Sequence, residues 1–101
     1  MEPVERLRRL AVDGEHSRSL APRSLDGRSL ALSRIAALIA VGGPEASFGS
    51  EVDAAISEGA TAEEIVDVLA GVIPVAGMPR AVAAAPKLAL ALGYDDLLEA
   101  D

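Results

Sequence analysis

Apolar residues recur along this chain at intervals of three and four, the repeat of an α-helix, and nowhere alternate one by one as a half-buried strand would. Five helices follow from that pattern and its punctuation. Val4 to Asp13 carries a narrow stripe of Val4, Leu7, Leu10 and Ala11, and Gly14 ends it. The stretch from His16 to Ser24, with Pro22 and three serines, reads as a linker or an ordered arm, and Asp26 can cap the helix that follows. From Arg28 to Val41 apolar residues occur on nearly every side, which predicts a central buried helix.

Gly42-Gly43-Pro44 breaks that helix sharply, and Pro44 suits the first turn of the next. Glu45 to Glu58 places Phe48, Val52, Ala55 and Ile56 on one face. Gly59 can adopt the left-handed conformation that closes it, and Thr61 with Glu64 three residues later is a capping box. Ala62 to Ile73 then buries Ile65, Val68, Leu69 and Val72. Pro74 and Gly77 are expected to separate it from a last helix, Met78 to Leu92, in which Pro86 predicts a kink or a short break. Gly93 closes that helix. The expected organisation is an N-terminal helix and arm over residues 1–24, a helical domain over 25–94 and an acidic tail over 95–101.

At 101 residues the chain is one domain, and half its residues are hydrophobic. Phe48 and Tyr94 are its only aromatics, so the core must be made of Ala, Val, Leu and Ile, each of which buries little area. A thin core in so apolar a sequence leaves faces for another subunit to cover, and an oligomer is expected.

Charge is distributed unevenly. Residues 1–42 carry seven arginines against five acids, net +2, and residues 43–101 carry Arg80 and Lys87 against eleven acids, net −9, which gives the overall −7. The N-terminal arginines are interleaved with Glu2, Glu5 and Asp13 and have no aromatic near them for base stacking, so no nucleic-acid partner is expected. A solvated amphipathic helix, docking its arginines on the acidic body of its own or a neighbouring subunit, accounts for them better. The chain has no cysteine, which removes disulfides, thiolate metal sites and thiol nucleophiles together. No metal or other cofactor is expected. Neither a signal segment nor a run long enough to span a bilayer is visible, so a cytoplasmic protein without a membrane partner is the expectation.

The run Gly59-Ala60-Thr61-Ala62-Glu63-Glu64-Ile65 to Leu69 resembles the "G-A-T-x-E-E-I-x-x-V-L" signature of carboxymuconolactone decarboxylase-like proteins, the family that also holds the alkylhydroperoxidase D type. Upstream, Leu25-Asp26-Gly27-Arg28-Ser29-Leu30 resembles the family's "L-D-x-R-x-x-x-L" opening of its central helix. Downstream, Pro74 to Pro79 is similar to its "P-x-x-G-x-P" break. The resemblance covers about Leu25 to Gly93. It implies an all-α, alkylhydroperoxidase D-like bundle of about five helices assembled as a homo-oligomer, a trimer or a hexamer.

The family's redox chemistry does not come with it. Alkylhydroperoxidase D relatives carry C-x-x-C and then His on the third helix, with a relay Glu on the helix before. Counted back from Gly59, the His position falls on Glu51, the Cys positions on Ser47 and Pro44, and the relay position near Ala31 or Leu32. A serine hydroxyl is far too weakly acidic to replace a thiolate in attack on a peroxide, which excludes thiol peroxidase activity. The thiol-free decarboxylase branch keeps a His near the Glu51 position, whereas the one histidine here is His16, in the linker, where a solvated side chain is the ordinary case.

A pair remains. At 100° per residue Glu51 sits about 60° from Phe48, at the margin of the third helix's apolar face, and Arg34 is a cation within the central helix. If the two helices pack as in the family, they meet at a cavity lined by Ser47, Phe48 and Ser50. On one reading Glu51 is a general base and Arg34 anchors an anionic small molecule, a carboxylated or lactone metabolite. On the other they form an interhelical or intersubunit ion pair in a non-catalytic oligomer that binds a small molecule or a protein partner, since a charge on a buried helix must find a counter-charge. Arg34 can equally pair with Asp26, Asp53 or another subunit.

Overall fold

A computed structural model gives the fold, and it describes residues 2–13 and 21–94. His16 and the acidic tail lie outside the described residues. There are five helices, α1 Pro3–Asp13, α2 Gly27–Val41, α3 Glu45–Ser57, α4 Ala62–Ala76 and α5 Met78–Ala91, and no strand among the described residues. The all-α reading therefore stands, with each helix starting within one residue of its expected position.

Local chemistry explains the boundaries. Asp26 caps α2, its Oδ1 accepting the Ser29 N–H at 2.7 Å. At the other end Gly42, at φ 78°, turns the chain out of the helix while its N–H still reaches the Leu38 carbonyl. Gly59, at φ 97°, closes α3, and the Ala60 N–H returns to the Ala55 carbonyl at 2.9 Å. The capping box of α4 is complete: the Glu64 N–H donates to Thr61 Oγ1 at 3.1 Å, and the Thr61 N–H donates to Glu64 Oε1 at 2.9 Å.

Pro74 departs from expectation, and Pro86 makes no break. Helix α4 continues through Pro74 to Ala76 and ends where Gly77, at φ 94°, donates its N–H to the Ile73 carbonyl. Pro74 deprives only the Ala70 carbonyl of its helical partner, a smaller cost than unwinding two more residues. Helix α5 is likewise unbroken across Pro86. Val82, whose carbonyl the ring deprives of its helical partner, is exposed, so water can satisfy that carbonyl.

The core is formed by α2 to α5. Helices α2 and α5 pack against each other, and the consecutive helices α3 and α4 each lean on both of them rather than mainly on one another. Ile35, Ile39, Phe48, Val52 and Ile65 are the largest fully buried side chains. Around them sit Ala31, Ala55, Ala60, Ala84 and Leu88, and such small residues let helix axes approach to about 8 Å.

The packing is less complete than the sequence suggests. Helix α2 buries only Ala31, Ile35 and Ile39, while Val41 and Arg34 are exposed, so it is half-covered rather than central on all sides. Ile56 is exposed, and of the four apolar residues expected to be buried on α4 only Ile65 is fully so. Val68, Leu69 and Val72 are packed against the core but only partly covered. Helix α1 buries none of its side chains up to Val12, and its stripe of Val4, Leu7 and Leu10 stays exposed.

Candidate functional site

Two polar stations hold the bundle, one at each end of α2. At its start the two signature segments meet. Arg28, in the first turn of α2, forms an ion pair with Oε2 of Glu64, the residue whose Oε1 completes the capping box of α4. The Glu58 carboxylate lies over Gly27, close enough that a Cβ at residue 27 would run into it. Together with Asp26 it places negative charge at the N-terminus of α2, where the helix dipole favours it. The carboxyl of Asp26 is held below its ordinary range, first by the Ser29 backbone hydrogen bond and then by the Ser29 side chain. That of Glu5 on α1 is lowered by Arg8, which donates to it at 2.7 and 3.1 Å, and by Arg9.

At the other end Arg80 Nη1 donates to the Val41 carbonyl at 3.4 Å and Lys87 Nζ to the Gly43 carbonyl at 2.9 Å. These are the only cations after residue 34, and both answer the unpaired carbonyls at the negative end of α2. The Lys87 ammonium also stands 5.8 Å from the centroid of the Phe48 ring, within cation–π range. None of this was read from the sequence. The one available signal was the spacing of Arg80 and Lys87, seven residues or two turns apart on one flank of α5.

The candidate residues divide. Glu51 is half-buried on α3, and Arg34 is exposed on α2. The helices form an antiparallel hairpin in which Gly27 faces Glu58 and the chain turns at Gly42-Gly43, so residue 34 falls at the level of residue 51. No ion pair or hydrogen bond joins Arg34 to Glu51 among the described residues. Ser47, the residue before Phe48, is half-buried one turn before Glu51 and on the same side of α3. Ser50 is exposed and turns toward the opposite side, and Phe48 is 0 % exposed, sealed behind Lys87 in the core. Of the positions where relatives carry a relay Glu, Ala31 is buried core and Leu32 is packed against it.

The clefts away from this rim include two beside α5. One, of about 450 Å³, opens between α3 and α5 and is lined by Glu45, Ala46, Gly49, Leu90 and Ala91. The other, of about 230 Å³ between α4 and α5, is apolar and lined by residues such as Val66, Leu69, Leu88 and Tyr94. The second is smaller than the ~300 Å³ at which small-molecule sites begin. Neither is lined by Arg34 or Glu51. Among the described residues no cluster of His, Asp and Glu is arranged to hold a metal ion, and no helix is long and apolar enough to cross a membrane.

No curated protein and no solved structure matches the chain. The model of the carboxymuconolactone decarboxylase family does match, over residues 11–89, which takes in α2, α3, α4 and the clamp at Arg28 and Glu64. The chain belongs to the carboxymuconolactone decarboxylase family.

Proposed function

We propose that this protein is a thiol-free member of its family that takes a small carboxylated or lactone metabolite on the rim between α2 and α3. Arg34 holds the substrate carboxylate and Glu51 serves as general base, with Ser47 beside it as a hydrogen-bonding group; the buried Phe48 and the outward Ser50 take no part. One observation carries this reading: Arg34 and Glu51 stand at the same level of the hairpin and are not spent on each other. A guanidinium left exposed can form a two-pronged bond to a carboxylate, and a half-buried carboxylate beside it can take a proton from water. In lactone hydrolysis the water oxygen bonds to the acyl carbon as Glu51 accepts its proton. The ring C–O bond then breaks, and the leaving oxygen takes the proton back from Glu51.

Self-assembly into a trimer or hexamer, in the cytoplasm, belongs to the same proposal. It is supported by the apolar side chains that stay exposed on α1, α4 and α5. A second reading, a non-catalytic helical oligomer that binds a small molecule or a protein partner, is favoured by the burial of Phe48, which leaves the rim shallow.

The test is a panel of small carboxylated lactones and β-keto acids, followed by loss of lactone absorbance and by release of carbon dioxide. The expected result is turnover that Glu51→Gln abolishes and that Arg34→Ala weakens through KM. Since Arg34 is exposed, neither change should move the melting temperature. Turnover that survives Glu51→Gln removes Glu51 as the base. No turnover and no ligand-induced rise in melting temperature across the panel favours the second reading.

A further inference from the structure

Leu30, Arg34 and Leu38 stand four residues apart and so form one row along the side of α2 that faces α3. The row is bounded at both ends. Toward the start of α2 it leads to Gly27, over which the Glu58 carboxylate lies, with the Asp26 cap next to it in the chain. Toward the turn it ends on Leu38, which leans so closely on Gly43 that a Cβ there would meet its Cδ2 at 2.5 Å. Arg34 therefore stands between an acidic end and an apolar end.

The other described cations are engaged elsewhere. Arg28 pairs with Glu64, Arg8 and Arg9 with Glu5, and Arg6 donates to the Ala21 carbonyl. Arg80 and Lys87 cap the end of α2, and Arg23 also has an interaction of its own. Among the described residues Arg34 is the one cation with neither an ion pair nor a hydrogen bond, so this stretch of rim offers a single positive charge.

Since residue 34 is level with residue 51 on the antiparallel hairpin, residue 38 is level with residue 47. A substrate whose carboxylate sits on Arg34, and whose reacting carbon lies by Glu51 and Ser47, thus extends toward the turn and lays its body over Leu38. One helical turn, roughly 6 Å, separates the two levels, and Gly27 lies roughly 10 Å the other way. A second carboxylate would have to lose water over Leu38, where no donor replaces it, or approach Glu58 and Asp26, like charges within about a Debye length. The chain's net charge of −7 opposes a dianion in the same sense.

From this we infer that the rim takes a singly charged substrate, with one carboxylate on Arg34 and an uncharged ring or chain over Leu38, and that Leu38 is the residue that discriminates against dianions. The inference rests on the reading of the rim proposed above and narrows its substrate class.

The experiment compares γ-butyrolactones carrying no, one and two carboxylates, and acetoacetate with acetonedicarboxylate, by kcat/KM and by ligand-induced rise in melting temperature, at low and high salt. The monoanion of each pair is expected to be preferred over the dianion by about tenfold at low salt, the cost of stripping water from an unpaired polar group, and the preference should shrink as salt screens the like charges. Arg34→Ala should erase the difference between the monocarboxylated and the uncharged lactone. Leu38→Lys, with folding checked by circular dichroism, should bring the dianion level with the monoanion or above it. Because Leu38 also packs on the core, the exposed Glu58→Gln supplies a second variant, expected to raise kcat/KM for the dianion about twofold and to leave the monoanion unchanged. Dianions turned over as well as monoanions by the wild type, or an uncharged lactone turned over as well as its monoanion, would overturn this inference while leaving Glu51 as the base on the rim. Absence of both turnover and binding across all five probes overturns the reading of the rim, and this inference with it.

Discussion

Glu64 does two jobs, and substitution can separate them. Its Oε1 accepts the Thr61 N–H that opens α4, and its Oε2 pairs with Arg28 at the start of α2. Glu64→Gln keeps a group that can reach back to Thr61 and loses the charge, whereas Glu64→Ala loses both. The side chains of Arg28 and Glu64 are 40 % and 34 % exposed, so solvent screens the pair and its contribution falls in the range of surface ion pairs, about 0.5 kcal/mol. Losing the reciprocal cap should cost about 1 kcal/mol more. Glu64→Gln is therefore expected to destabilise by about 0.5 kcal/mol and Glu64→Ala by about 1.5 kcal/mol, read from urea unfolding followed by circular dichroism. A cycle of Arg28→Met, Glu64→Gln and the double variant should return a coupling of about 0.5 kcal/mol. A coupling indistinguishable from zero would mean that the ion pair does not join α2 to α4. Equal losses for Glu64→Gln and Glu64→Ala would refute the capping part of the reasoning.

Two further outcomes follow from the ends of α2. Asp26 has a lowered carboxyl in the fold, so its contribution is present above the ordinary range near 3.8 and is lost as pH falls through that range and below it. Asp26→Asn, which still caps but does not titrate, should lose less melting temperature than the wild type between pH 5 and pH 2; an identical fall would assign the acid sensitivity to other groups. At the opposite end, Lys87→Met should cost about 1–2 kcal/mol by leaving the Gly43 carbonyl without its charged donor and the Phe48 ring without its cation. Phe48→Ala, in a site with no exposure, should cost about 3–5 kcal/mol in the same urea assay, and a loss under 1 kcal/mol would show that Phe48 is not a core residue.

What could be read from the sequence was local. The capping box at Thr61 and Glu64, the aspartate cap at Asp26 and the glycine stops at Gly42 and Gly59 are decided within a few residues, and the structure has each of them. The burial of α2 was overestimated because an apolar stretch shows only that a face avoids water, not what covers it, and one copy of the chain covers half of this helix. Ile56 illustrates the same limit at one position: its spacing from Phe48 and Val52 is right for the core, yet no helix packs over it. The pairing of Arg28 with Glu64 and the capping of α2 by Arg80 and Lys87 were illegible for another reason. They join residues far apart in the chain, and only the packing of helices brings them together.

The separation of structural from chemical positions explains how a chain can keep this fold without the family's reactive groups. The signature residues Asp26, Arg28, Gly59, Thr61 and Glu64 cap helices, turn the chain and tie α2 to α4, so each is held by the stability of the fold. The positions that carry thiols and imidazole in relatives fall on Pro44, Ser47 and Glu51, which no described hydrogen bond between side chains connects to that frame. Ala31, where a relay carboxylate falls on one count, has become core and would bury an unpaired charge if restored to Glu. Family membership here therefore vouches for a scaffold, and the reaction has to be judged from the residues now standing on the α2–α3 rim.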